Sequence, residues 1–118
     1  MEAVLLPWVR VGFGVDAGHS TPPDLEKRLP FVRVERLGGA DGRFTAHPRI
    51  AVDVFGRTAD EASHLSDAIR DSLVLLHGPV GGAVIRGVRC ISGPSRQPWA
   101  NPSVYRRGAS YSVSLRAA

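Results

Sequence analysis

Residues 48–78 read PRIAVDVFGRTADEASHLSDAIRDSLVLLHG, and the period of their pattern changes halfway. From Ile50 to Phe55 the residues alternate. Ile50, Val52 and Val54 fall on one side and Ala51, Asp53 and Phe55 on the other, as in a strand with one face against a core. After Gly56 the spacing becomes helical: Ala62, Leu65, Ile69, Leu73 and Leu76 form one apolar stripe. Thr58 is placed to cap the helix, and Glu61, three residues on, completes a capping box. Asp60 and Glu61 occupy the first turn, where the helix dipole favours acids. Gly78 followed by Pro79 ends the segment. The stretch predicts a strand followed by a long amphipathic helix packed on something flat.

Outward from it, three further strands are legible. In PFVRVERL, residues 30–37, Val32 and Val34 alternate with Arg33, Glu35 and Arg36. AVIRGVRCI, residues 83–91, is a strand with a bulge at Gly87, because skipping one residue there restores the alternation. In ASYSVSL, residues 109–115, Ala109, Tyr111, Val113 and Leu115 line one face and Ser110, Ser112 and Ser114 the other. The segment 37–48, LGGADGRFTAHP, carries the turn formers Gly38-Gly39 and Asp41-Gly42 and reads as a loop long for a hairpin, of the kind that is functional or disordered. GPSRQPWANPSV, residues 93–104, holds Pro94, Pro98 and Pro102 and reads as irregular. Residues 15–24 read as a loop, and residues 2–11 as a short helix interrupted near Pro7 or a strand, the helix being favoured. The expected fold is a single α+β domain over residues 1–118. It has a small, mainly antiparallel or mixed sheet in the order strand-strand-helix-strand-strand, the long helix packed on it, and a short N-terminal helix.

The totals restrict the function classes. At 118 residues the chain supports one core without metal or disulfide staples. The lone Cys90 excludes an internal disulfide and reads as a small buried hydrophobe in a strand. No run of about 18 apolar residues predicts a membrane span, and the N-terminus lacks the basic start of a secretory signal. Charge is unevenly spread: residues 1–78 hold nine Lys/Arg against eleven Asp/Glu, whereas residues 79–118 hold six Arg and no acid. Fourteen of the fifteen basic residues are arginine, which holds phosphates and protein carboxylates equally well.

Chemistry-bearing motifs are not found. His19, His47, His64 and His77 have no second ligand at metal spacing. No nucleophile elbow or Cys–His signature is present. The glycines of GFGVDAG do not match a dinucleotide loop. HGPVGGAV lacks the Lys-Ser/Thr pair of a phosphate loop and follows the wrong helix end. No catalytic, cofactor or metal site is expected, and the chain reads as non-enzymatic. The remaining candidates are Arg96, Arg106, Arg107 and Arg116 among Trp99 and Tyr105. These are stacking and phosphate groups in a nucleic-acid reading and hot-spot types in a protein-interface reading. Tyr111 reads as core, and Trp99 as either core edge or interface.

The runs TPPDLEKRLPFVRVERLGG, PRIAVDVFGRTADEASHLSDAIRDSLVLLHG and VRCISGPSRQPWANPSVYRRGASYSVSLR resemble the tail terminator (tail completion) proteins of long-tailed phages and prophages of actinobacteria, over roughly residues 20–116. The resemblance implies a compact α/β sandwich that assembles into a six-membered ring on the head-proximal end of the tail tube, within the virion neck, after synthesis in the host cytoplasm. Its implied partners are further copies of itself, the major tail tube protein and the head-tail connector or stopper protein. DNA is implied only as cargo passing through the lumen, with no membrane and no cofactor. Leu29 to Gly39 and Pro48 to Phe55 are expected in the sheet, and Gly93 to Arg107 in the signature loop and the start of the last strand. The loop from Gly38 to His47 is expected to project to a neighbour or the tube. The interface residues expected on this reading are Gly38, Gly39, Asp41, Arg43, Phe44, Arg96, Trp99, Tyr105, Arg106 and Arg107. A ring subunit needs two complementary patches, and the acid-rich helix face and the acid-free C-terminal region would supply them. The alternatives are another neck protein, or a small DNA-binding protein using the basic C-terminal region.

Overall fold

The computed structural model describes residues 2–41 and 45–117. In chain order the elements are α1 (Glu2–Phe13), β1 (Asp16–Gly18), a 3-10 turn (Leu25–Lys27), β2 (Phe31–Asp41), β3 (Thr45–Gly56), α2 (Ala59–Leu73), β4 (Gly78–Val80), β5 (Ala83–Gln97) and β6 (Tyr105–Ala117). One mixed sheet runs β1-β2-β3-β6-β5-β4. Only the β1–β2 pair is parallel. The expected α+β class, long helix and short N-terminal helix are all present.

Both helices lie on one face of the sheet. Ile50, Val52 and Val54 of β3 and Ala109, Tyr111 and Val113 of β6 meet Ile69 and Leu73 of α2 and Leu5 and Val9 of α1 in one core. α1 touches β1 and β2 at one end of the sheet and β4 at the other, so the sheet curls around it. Pro7 does not interrupt α1. It is exposed, and so is Ala3, whose carbonyl loses its usual helical partner but keeps access to water. Gly14, at φ 63°, ends the helix by donating to the Arg10 carbonyl at 3.0 Å. Thr58 Oγ1 accepts from the Glu61 amide at 3.0 Å, as the capping box requires. The Glu61 carboxylate reaches the Arg57 amide at 2.8 Å, one residue before the cap.

Four expectations are corrected. The segment 37–48 is not a loop for most of its length: β2 and β3 continue their pairing as far as Asp41 opposite Ala46. A bulge between Arg36 and Gly38 reads in the sequence as a break, whereas the ladder resumes beyond it. Gly39 makes this possible. A Cβ there would fall 2.2 Å from the His47 carbonyl oxygen, and its φ of 119° excludes most side chains. Residues 93–97 are strand, not irregular, because Pro94 lies in the register break between Ser92 and Ser95. β4 covers only Ala83–Ile85 of β5, so Pro94 faces no ladder that needs its missing N–H. Residues 16–18 and 78–80, read as a loop and a helix stop, are the short strands that end the sheet. Their three-residue length hides any alternation. The bulge at Gly87 and the burial of Tyr111 are as expected.

Candidate functional site

The face of the sheet away from the helices carries a charged cluster. Register sets it: Arg33 lies opposite Asp53 on β3, Asp53 opposite Gly108 on β6, and Phe55 opposite Arg106. Asp53 is 3% exposed. Arg33 donates from Nε and Nη2 to Asp53 Oδ2 at 3.2 and 2.8 Å. Arg106 donates from Nε and Nη2 to Oδ1 at 3.1 and 3.0 Å. Each carboxylate oxygen is thus held by its own guanidinium, the arrangement that compensates a buried charge. Gly108 leaves the room, since a Cβ there would stand 2.9 Å from Asp53 Oδ1 and 2.6 Å from Gln97 Nε2.

Trp99 closes the cluster. Its ring packs edge-on against Phe55, with centroids 4.7 Å apart. The Arg33 and Arg106 guanidinium carbons lie over it at 5.9 and 5.7 Å, in cation–π range. Phe31, Phe55, Leu25 and Val104 form a second small core beneath, against which Trp99 and Leu29 pack. Trp99 therefore seals a core edge, one of the two readings left open for it, and stacks against the two arginines of the cluster.

The adjacent Arg106 and Arg107 separate to opposite faces. Arg107 turns to the helix side, donates from Nη2 to the Pro94 carbonyl at 3.2 Å, and lines a small cleft with Ala59, Ala62, Arg96 and Tyr105, which Arg106 also borders. Its Nε is buried with no hydrogen-bond partner among the described residues. Arg96, opposite Arg107 in the ladder, is exposed. Arg96, Trp99, Tyr105 and Arg106 line one hollow of about 230 Å³, so four of the expected interface residues are brought together and Arg107 borders them. Gly38 and Gly39 lie apart from this cluster, in the far part of the β2–β3 hairpin opposite Arg49 and Pro48, where they serve its pairing. Asp41 ends β2. Arg43 and Phe44 lie outside the described residues.

Sequence reasoning missed Arg33, Asp53 and Gly108. The available signal was an aspartate in the middle of an otherwise apolar strand, which demands a partner once that strand is central. Beyond this cluster, the same face continues as a trough lined by Ala51, Ser92 and Ser110, then by His47, Arg89, Ser112 and Ser114, in two hollows of about 180 and 380 Å³. Among the described residues Arg49, Arg86, Arg89 and Arg96 form no ion pair.

On the helix side, hydrogen bonds from the Arg57 side chain and amide hold the Glu61 carboxyl below its ordinary range. Burial raises the Tyr111 hydroxyl above its own. His19, His47, His64 and His77 are all exposed. No group of three or more His, Cys, Asp or Glu among the described residues could hold a metal ion. No described helix is long and apolar enough to cross a membrane. What the arrangement supplies is a stiffened, arginine-bordered surface.

No family model matches the chain, and no curated protein sequence matches it. Among solved structures the chain is similar to one in the virion of a native gene transfer agent (GTA) particle, with a TM-score of 0.65 and 14% sequence identity. The likeness covers 92% of this chain and 84% of that one. At this identity what the two chains share is the fold, over nearly the whole length of this one.

Proposed function

We propose that the chain is a structural protein of a tail-like virion, built to hold neighbouring proteins and not to turn over a substrate. The observation that carries this reading is the fold shared, over 92% of the chain, with a chain of a gene transfer agent virion. The finer assignment follows the sequence resemblance. In it the chain is a tail terminator, whose copies form a six-membered ring at the head-proximal end of the tail tube, stop its polymerisation and join the head connector or stopper.

Two physical features support this role. The long β2–β3 hairpin extends the sheet toward residues 41–45, the geometry of an arm that reaches a neighbour; Asp41, Arg43 and Phe44 are its proposed contact residues. The Arg33–Asp53–Arg106–Trp99 cluster holds the loop that follows β5 against the sheet, so Trp99, beside Arg96 and Tyr105, meets a partner with little further ordering cost. Partners in this reading are other copies, the tube protein and the connector, with DNA passing through the lumen. No cofactor is involved.

Particles assembled without this chain test the proposal. The expected result is tails of irregular length that fail to join heads, with rings of the purified protein in negative-stain micrographs. Head-joined tails of normal length would overturn it. Arg86, Arg89 and Arg96 on β5, without an ion pair among the described residues, favour a second reading, a small DNA-binding protein. A protein that stays monomeric and binds duplex with a steep salt dependence would support that reading instead.

A further inference from the structure

We infer that copies of this chain associate front to back, the outer stripe of α2 on one copy lying in the helix-free trough of the next. The inference rests on the ring reading above and names the two surfaces that would make the ring.

The trough is the part of the sheet that no element among the described residues covers. Along β3, β5 and β6 it is lined by the small residues Ala51, Ser92, Ser110, Ser112 and Ser114, with Gly87 opposite Ser114, and Leu37 and His47 line it as well. The small residues let another backbone approach closely. Arg49 and Arg89 flank it, both opposite Ser112, one from each neighbouring strand. Two strand spacings set their backbones roughly 9.6 Å apart. Among the described residues neither arginine has an ion-pair partner. The acids on this face are Asp53, already neutralised by two arginines, and Glu35, exposed opposite Ala51 at the margin.

The complementary surface is on the other side of the same molecule. α2 buries Ala62, Ser66, Ile69 and Leu73 and turns Asp60, His64, Asp67 and Asp71 to solvent. Asp71 is paired with Arg70; Asp60 and Asp67 form no ion pair among the described residues. Seven residues apart, they share one helix face with a rise of about 10.5 Å between them. The unpaired acids and the unpaired arginines thus match in sign and in spacing. Because the two patches are different and lie on opposite sides of the sheet, the contact is heterologous, the type that propagates from copy to copy and forms a ring when its rotation closes.

Charge reversal tests the pairing. The wild-type protein, the Arg49→Glu/Arg89→Glu variant and the Asp60→Arg/Asp67→Arg variant are each sized by light scattering at tens of micromolar, with circular dichroism to verify folding. The expected result is an oligomeric wild type, at least tenfold weaker association in each variant alone, and oligomers restored when the two variants are mixed. Every contact in an alternating mixture again joins opposite charges. Variants that assemble like the wild type would overturn the inference and leave the ring reading standing, as would a mixture that fails to recover. A wild type that is monomeric throughout would overturn both. Duplex DNA binding that is abolished by Arg49→Glu/Arg89→Glu, with assembly unchanged, would assign the trough to nucleic acid and also overturn the inference.

Discussion

Arg106 Nε and Nη2 donate to the same oxygen of Asp53, at 3.1 and 3.0 Å, across 53 residues of sequence. The other Asp53 oxygen belongs to Arg33. The two arginines arrive from strands on either side of β3, so the pair measures whether β2, β3 and β6 are in register. A one-residue slip in either ladder would turn an arginine to the helix side of the sheet and leave a buried carboxylate half satisfied.

Asp53→Ala removes the centre of this cluster and leaves two partly buried guanidiniums facing each other. The expected cost is about 3–5 kcal/mol in urea unfolding, the range for breaking a buried pair. Replacing all three together, as Arg33→Met, Asp53→Leu and Arg106→Met, should cost less than Asp53→Ala alone, because no uncompensated charge remains. If Asp53→Ala unfolds at the wild-type midpoint, the cluster contributes nothing to stability.

Gly108→Ala places a Cβ within 3 Å of both Gln97 and Asp53. The loss expected is about 1–3 kcal/mol, as for overpacking elsewhere. The nearest atoms belong to the end of the Gln97 side chain, so Gln97→Ala in the same chain should recover part of it. A double variant no more stable than Gly108→Ala would shift the blame to Asp53.

Thr58→Ala removes the α2 cap and should lower stability by about 1 kcal/mol. Glu61 adds a pH dependence of defined sign. Its folded carboxyl titrates below the ordinary 4.5 because Arg57 hydrogen-bonds it. Its contribution is therefore complete above about pH 4.5 and lost as pH falls through the lower folded value. Urea midpoints between pH 3 and 6 should show a shallower acid slope in Glu61→Gln. Identical slopes would remove Glu61 from the account.

Arg106→Ala and Arg107→Ala should differ although the residues are adjacent. Arg106→Ala loses two hydrogen bonds to a buried carboxylate and the contact with Trp99, and should cost about 2–4 kcal/mol. Arg107→Ala loses one hydrogen bond to a carbonyl and should cost about 1 kcal/mol or less. Assembly defects in Arg107→Ala at unchanged melting temperature would then report on an interface, whereas those in Arg106→Ala also carry the fold. Equal destabilisation by the two would contradict the separation of their side chains.

What the sequence by itself determined were the features whose cause is local. The cap at Thr58, the stripe from Ala62 to Leu73, the alternation through Ile50 to Phe55 and through Ala109 to Val113, and the skipped residue at Gly87 each depend on neighbours within a few positions. Tertiary structure alone decided the rest, because pairing depends on what stands alongside. Pro94 is tolerated in β5 because nothing pairs with that edge. Gly39 is a strand residue because His47 and Pro48 run past it. β1 and β4 are strands only because longer strands template three residues of each. Asp53, an odd residue on the outer face of a legible strand, became the centre of the charged cluster once β2 and β6 brought Arg33 and Arg106 to it.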